Sequence, residues 1–258
     1  MSESSDVIFE VDGAVATITL NRPRKLNAVT PAMADAIVAA VEECNASDTI
    51  RCVIVTGAGE RAFCAGSDIA ELDTYETPWE FRNRPDYCDA IRRLLKPSIA
   101  AVNGYAFGGG LETAMSCDIR IASANAQFAA PEIKLGWIGG GGMATSLAHS
   151  IGASNAALML MTGDPIDAAK AERWSLVSEV VPLEELLPRA KALAKTIAAR
   201  APIAAETAKV NLKAAYAMSK EQAIEYERDL QTICFATADA AEGRAAFKEK
   251  RAPKFRRR

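Results

Sequence analysis

Two glycine turns and two glutamates carry the chemical interest of this sequence. Ala65-Gly66-Ser67-Asp68 and Gly108-Gly109-Gly110 each stand just beyond an apolar, strand-like run and just before good helix formers. A helix N-terminus exposes unpaired backbone N–H groups and carries a partial positive charge. Such a turn stabilises an anion, and paired N–H groups from two turns make an oxyanion hole if the fold brings them together. Glu112 falls in the first turn of the helix that the second glycine run opens, and Glu132 follows the rigid Pro131. Two carboxylates beside an oxyanion hole can move protons at the carbon next to a carbonyl, with no metal and no histidine. Glu112 also has a plain reading, because an acidic side chain in a first helical turn complements the helix dipole. Position in the sequence does not choose between the two.

The elements that must place these groups follow a strand, strand, helix rhythm. Val7 to Val11 and Val15 to Leu20 flank Asp12-Gly13-Ala14, a strong hairpin signal. Thr30-Pro31 offers an N-cap and a first-turn proline, with Met33, Ile37 and Val41 at helical spacing to about Cys44. Arg51 to Val55 and Ser98 to Val102 read as buried strands, and Asp118 to Ala122 as another. Ser67 or Asp68 caps a short helix to about Asp73, Thr74 to Asp86 reads as a polar surface excursion, and Ala90 to Lys96 as helix. Beyond Met143 the chain reads as mainly helical, with Leu176 to Val181 as its one strand candidate. Repeated short units suggest a stacked or spiral layout.

Composition narrows the function. A chain of 258 residues with half its residues hydrophobic and a net charge of -3 has the balance of an ordinary globular protein, without a general attraction to nucleic acid or membrane. None of the six cysteines pairs in a C-x-x-C spacing, so neither a zinc ribbon nor a thioredoxin-type motif is expected, and no metal site. The first residues lack the basic and apolar regions of a secretory signal, and no apolar run reaches the ~18 residues of a membrane span, so a cytoplasmic location is expected. The single histidine, His149, reads as structural or surface, which leaves proton transfer to other groups.

Two features invite other readings. Gly57-Ala58-Gly59-Glu60-Arg61-Ala62 matches a loose dinucleotide-binding pattern, but a second glycine turn stands where the helix should open, so a plain turn after a strand is expected. Seven basic side chains fall between Lys248 and Arg258. A solvated tail is the expectation there, with phosphate or RNA contact as the competing reading.

The residues resemble the enoyl-CoA hydratase/isomerase, or crotonase, family along nearly the whole chain. The resemblance runs through Leu20-Asn21-Arg22-Pro23 with Leu26-Asn27-Ala28, Phe63 to Ile69, Lys96-Pro97 to Asn103-Gly104, Gly108 to Gly110, Glu112, Cys117-Asp118, Phe128, and Pro131-Glu132 with Leu135-Gly136. It continues through Phe235-Ala236-Thr237, Asp239, Glu242-Gly243, Phe247, Glu249-Lys250-Arg251 and Pro253. The resemblance implies an α/β, crotonase-like spiral of repeated ββα units over residues 1–195. It also implies a C-terminal helical trimerisation region over 196–258, giving a homotrimer or homohexamer. It implies a lyase of acyl-CoA and fatty acid metabolism, a hydro-lyase adding water reversibly to a 2-enoyl-CoA, with coenzyme A part of the substrate and no separate cofactor. By resemblance, the backbone N–H groups of Ser67 and Gly109 hold the thioester oxygen, while Glu112 deprotonates water and Glu132 protonates the α-carbon. Lys25, Leu26, Ala28, Ala65, Gly66, Asp68 and Ile69 would line the CoA site, Trp137 the acyl pocket, and Phe247 and Lys250 would reach the CoA of their own or a neighbouring subunit.

The sequence departs from the usual hydratase pattern after Glu132, where Gly139 stands at a proline position and Ala144-Thr145-Ser146-Leu147 replaces a polar run. The acyl group therefore stays open, and so do two alternatives. One is a Δ3,Δ2-enoyl-CoA isomerase using a single carboxylate, and the other is a hydratase or dehydratase for an aromatic or cyclic acyl-CoA.

Overall fold

The computed structural model describes residues 5–258. β1 (Val7–Asp12) and β2 (Val15–Leu20) pair antiparallel across the expected Asp-Gly turn, with Val7 opposite Leu20. In α1 (Pro31–Ala46) the Thr30 hydroxyl accepts the Met33 N–H, and Met33, Ile37, Val41 and Cys44 are buried along one face. The next three units repeat one plan. β3 (Cys52–Gly57) and β4 (Ala62–Cys64) precede α2 (Ile69–Leu72), α3 (Pro78–Asn83) and α4 (Tyr87–Arg92). β5 (Ser98–Val102) and β6 (Tyr105–Phe107) precede α5 (Gly109–Ser116). β7 (Ile119–Ser123) and β8 (Gln127–Ala129) precede α6 (Met143–Ile151) and α7 (Ala153–Thr162).

Each repeat sends its first strand to one sheet and its second strand to another. The larger sheet runs β1-β2-β3-β5-β7-β10, where β10 is Glu179–Val181, and the smaller runs β4-β6-β8-β9, where β9 is Ile166–Asp167. Corresponding strands of successive repeats pair parallel, as β3 with β5 and β4 with β6. This is the spiral of ββα units that the sequence implied. α8 (Ala168–Arg173) links β9 to β10.

Strands β3 and β5 are buried at every position, which explains their unbroken apolar runs. One face packs on the core with α1, α4 and α5. The other face, with Val15, Ile54, Ile99 and Ile121, is covered by α9 (Leu183–Ala198) through Leu186, Ala190, Ala194 and Ala198. α10 (Pro202–Ala214), α11 (Lys220–Phe235) and α12 (Ala238–Glu249) complete the chain.

Several expectations are corrected. α3 forms inside the stretch read as an excursion, capped by Thr77 with Pro78 at its start. α4 begins at Tyr87, earlier than Ala90, because the Asp86 carboxylate accepts the Cys88 and Asp89 N–H groups. Only Glu179–Val181 of the Leu176 to Val181 segment is strand, and β9 is an additional one.

The basic tail is solvated at six of its seven basic side chains, as expected, while Arg257 and the tail backbone are held to the body. Arg257 pairs with Glu206 at 3.0 Å, the Asp239 carboxylate accepts the Arg256 and Arg257 N–H groups, and Arg51 donates to the Phe255 carbonyl at 2.9 Å. The partly buried Glu206, the buried Asp239 and the Arg51 guanidinium together fold the tail back onto the body.

Candidate active site

The stretch around Gly57 is a tight turn between β3 and β4, held by two asparagines. The buried Asn27 donates to the Ala58 and Ala62 carbonyls, and Asn103 donates to the Gly59 and Ala62 carbonyls while accepting the Gly57 N–H. No helix opens there, so the dinucleotide-like pattern serves to aim β4 at the next turn.

That turn, Ala65 to Ser67, lies against the second one. A Cβ placed on Gly66 would come 3.2 Å from the Gly109 amide nitrogen. Gly108 holds φ 55 and ψ −127, a conformation that excludes a side chain, and sets Gly109 as the first residue of α5. The Ser67 and Gly109 N–H groups donate to no acceptor among the described residues. The expected pairing of the turns is therefore formed by the fold.

Both glutamates open onto the same cavity of about 790 Å³. Glu112 is buried in the first turn of α5, and its Oε1 accepts the Gly141 N–H at 2.7 Å and the Met143 N–H at 3.1 Å. Burial pushes its carboxyl up to about 7, against the pull of the Gly141 N–H, and the neighbouring Glu132 charge adds to the rise. Glu132 sits on the short helical turn Pro131–Leu135, with Oε1 close to where a Cβ on Gly108 would lie, at 3.0 Å. Its carboxyl is also raised, by burial, and Oε2 is buried without a hydrogen-bond partner. Such a pair titrates as a unit. The two N–H bonds favour the anion on Glu112, and the partnerless oxygen favours the neutral acid on Glu132.

The glycine run after Glu132 has a structural reason. A Cβ on Gly139 would lie 2.8 Å from Glu112 Oε1, and one on Gly141 2.7 Å from Oε2. The run wraps the carboxylate with bare backbone, and Gly139 at the proline position belongs to that wrapping.

Of the other expected site residues, Ala65, Gly66, Ile69 and Trp137 line the cavity. Lys25, Leu26 and Ala28 do not line it; the Ala65 N–H donates to the Leu26 carbonyl and the Val29 N–H to the Gly66 carbonyl, which holds this segment against the Ala65 to Ser67 turn. The Asp68 carboxylate is occupied by Arg22 at 3.1 Å and by the Ala70 N–H at the start of α2. Phe247 is 85% exposed on α12, and Lys250 is its left-handed C-cap; neither lines the cavity. His149 is exposed and stacks on Tyr216 at 4.7 Å between centroids.

Tyr87, Cys88, Leu72, Phe81, Arg84 and Gly140 also line the cavity and were not expected from sequence. The signal was Asp86, whose capping role moves the start of α4 back to Tyr87 and turns its first residues inward. Among the described residues no cluster of His, Cys, Asp or Glu is placed to hold a metal ion, and no helix is long and apolar enough to cross a membrane.

The family model described as enoyl-CoA hydratase/isomerase matches residues 10–258. The chain is 42% identical over 255 residues to the "Probable enoyl-CoA hydratase echA8" of Mycobacterium tuberculosis, covering 98% of both chains. It is 39% identical over 253 residues to the "Short-chain-enoyl-CoA hydratase" of Clostridium acetobutylicum, covering 96% of this chain and 97% of the relative. Its fold matches the crystal structure of an enoyl-CoA hydratase from Bacillus anthracis with a TM-score of 0.94 at 32% identity, covering 98% of this chain and all of the other.

Proposed function

The chain belongs to the enoyl-CoA hydratase/isomerase family, and from that premise we propose that it adds water reversibly across the double bond of a 2-enoyl-CoA thioester. Ionised Glu112 takes a proton from water as the water oxygen bonds to the β-carbon. The π electrons of the double bond move through the α-carbon to the thioester oxygen. That oxygen carries the enolate charge, and the Ser67 and Gly109 N–H groups stabilise it there, each donor worth on the order of 3 kcal/mol of barrier. Neutral Glu132 then protonates the α-carbon, and the electrons return to form the new C–H bond. The proton gained by Glu112 and the one lost by Glu132 balance. Coenzyme A enters as part of the substrate, and the chain's own groups supply the chemistry.

One observation carries this reading. Glu132 Oε2 is buried with no partner and shares a cavity with a second, raised carboxylate, so a water between the two gives the orphan oxygen the O–H it lacks. A single-carboxylate isomerase has no comparable use for Glu112. The deciding measurement is loss of conjugated-thioester absorbance with crotonyl-CoA for Glu112→Gln and Glu132→Gln separately. Each variant loses most of the activity if the reading holds, and it fails if both retain most of it.

Oligomerisation belongs to the same proposal. Exposed Leu212, Tyr216, Ile233, Phe235 and Phe247 on and around α10 to α12 suit a contact between copies, and a homotrimer or its doubled form would bring Phe247 and Lys250 towards a neighbouring CoA site. Sedimentation at micromolar concentration distinguishes these states from a monomer.

A further inference from the structure

The Tyr87 hydroxyl touches both halves of the paired glycine turns. It lies 3.2 Å from the Ser67 Oγ, and a Cβ on Gly109 would lie 2.0 Å from it. The phenol oxygen therefore rests on the backbone of one residue that supplies a free N–H and beside the side chain of the other. Gly109 must be glycine for the phenol to reach this place.

The tyrosine is held firmly. It is the first residue of α4, fixed by the Asp86 cap, and 7% exposed. A buried tyrosine hydroxyl usually finds a carbonyl or carboxylate acceptor. This one has a serine hydroxyl as its sole partner among the described residues, and both residues line the cavity. Two facing hydroxyls share one hydrogen bond and leave a second O–H to give.

We propose that the Tyr87 hydroxyl is a third hydrogen-bond donor to the thioester oxygen, acting with the Ser67 and Gly109 N–H groups. This rests on the acyl-thioester reading of the site and adds a side-chain donor to a backbone pair. On substrate binding the phenol turns its proton from Ser67 Oγ to the carbonyl oxygen, and the bond strengthens as that oxygen gains charge. Burial holds the phenol well above its ordinary range, so the proton stays in place throughout the working pH. A tyrosine with a merely structural role would affect folding alone.

The test uses the wild-type protein and Tyr87→Phe with 4-dimethylaminocinnamoyl-CoA, whose visible band moves to the red as donors polarise its carbonyl. The wild type shows a red shift on binding, and Tyr87→Phe shows about half of it. With crotonyl-CoA the variant loses about 10²-fold in kcat with little change in KM, the scale of one oxyanion donor. A wild type with no red shift, or a variant that keeps the full shift and its kcat, overturns the proposal. If Tyr87→Phe does not fold, 3-fluorotyrosine at position 87 decides. Its more acidic phenol gives a larger shift if Tyr87 donates, and an unchanged shift overturns the idea. A wild type that red-shifts the thioester through Tyr87 but does not hydrate crotonyl-CoA overturns the hydration reading and leaves the donor in place.

Discussion

Glu112 and Gly141 are locked against each other from two sides. The Gly141 N–H donates to Oε1 at 2.7 Å, and the Gly141 Cα leaves no room for a methyl group, which would sit 2.7 Å from Oε2. The carboxylate is thus aimed by backbone from another repeat unit of the spiral. Its rotamer depends on a loop 29 residues away in sequence.

Gly141→Ala should therefore act on catalysis before it acts on folding. The added methyl would also press on Cys88 Cβ at 3.1 Å, so the carboxylate has to swing out of its place. A misplacement of about 1 Å costs on the order of 10²-fold in rate. Crotonyl-CoA hydration should fall by that much, while the melting temperature falls by only a few degrees, as for a loss of about 1–2 kcal/mol. Near-normal hydration would mean that the Gly141 bond does not position the reacting group.

Glu112 should trade stability for activity as pH rises. Its native carboxyl titrates near 7, raised mainly by burial, whereas the ordinary value is 4.5. Between these values the native state holds a proton that the unfolded chain has lost, so stability falls as pH rises through the window and the penalty is complete above about 7. Glu112→Gln should then be more stable than wild type at pH 8, by at most on the order of 3 kcal/mol, and the difference should vanish below pH ~4. Over the same window kcat/KM for hydration should climb as Glu112 ionises and fall again as Glu132 loses the proton it must deliver, a bell-shaped profile. Thermal melts at several pH values, beside a pH–rate profile, check both signs.

The candidate groups could be picked out before the fold because glycines and carboxylates at turns leave marks in sequence. Glu112, Glu132, Ser67 and Gly109 meet at one cavity as expected. The long strands were also visible, since β3 and β5 are buried at every residue and appear as apolar runs. The smaller sheet was not, because β4, β6 and β8 have three residues each and β9 has two, too few to show alternation. Tyr87 was missed for a related reason. Its neighbourhood, Thr74 to Asp86, is polar and proline-containing, and only the Asp86 cap reveals that the chain has turned inward. The docking of the tail rests on partners such as Asp48 and Arg257, whose pairing no local pattern announces.

That tail supplies the last prediction. Glu206 receives the fully buried Lys96 at 3.0 Å and Arg257 at 3.0 Å on its other oxygen. Burial would raise the Glu206 carboxyl, but the hydrogen bonds from Arg257 and Lys96 outweigh it and hold the group below its ordinary 4.5. Its stabilisation is therefore present above about 4.5 and is lost as pH falls through the lower native value. Removing the carboxylate strands Lys96, which has no exposed surface and stands two residues before β5, the strand that leads through β6 to the Gly108 turn. Breaking one partner of a buried pair costs about 3–5 kcal/mol, whereas replacing both with apolar groups is often near neutral. Glu206→Ala should thus be destabilised by about 3 kcal/mol at pH 7, the gap should narrow below pH ~4.5, and Lys96→Met with Glu206→Leu should recover much of the loss. Chemical denaturation of the three proteins at pH 7 and pH 4 measures this, and a double variant no better than Glu206→Ala would show that the charges themselves hold the tail to the core.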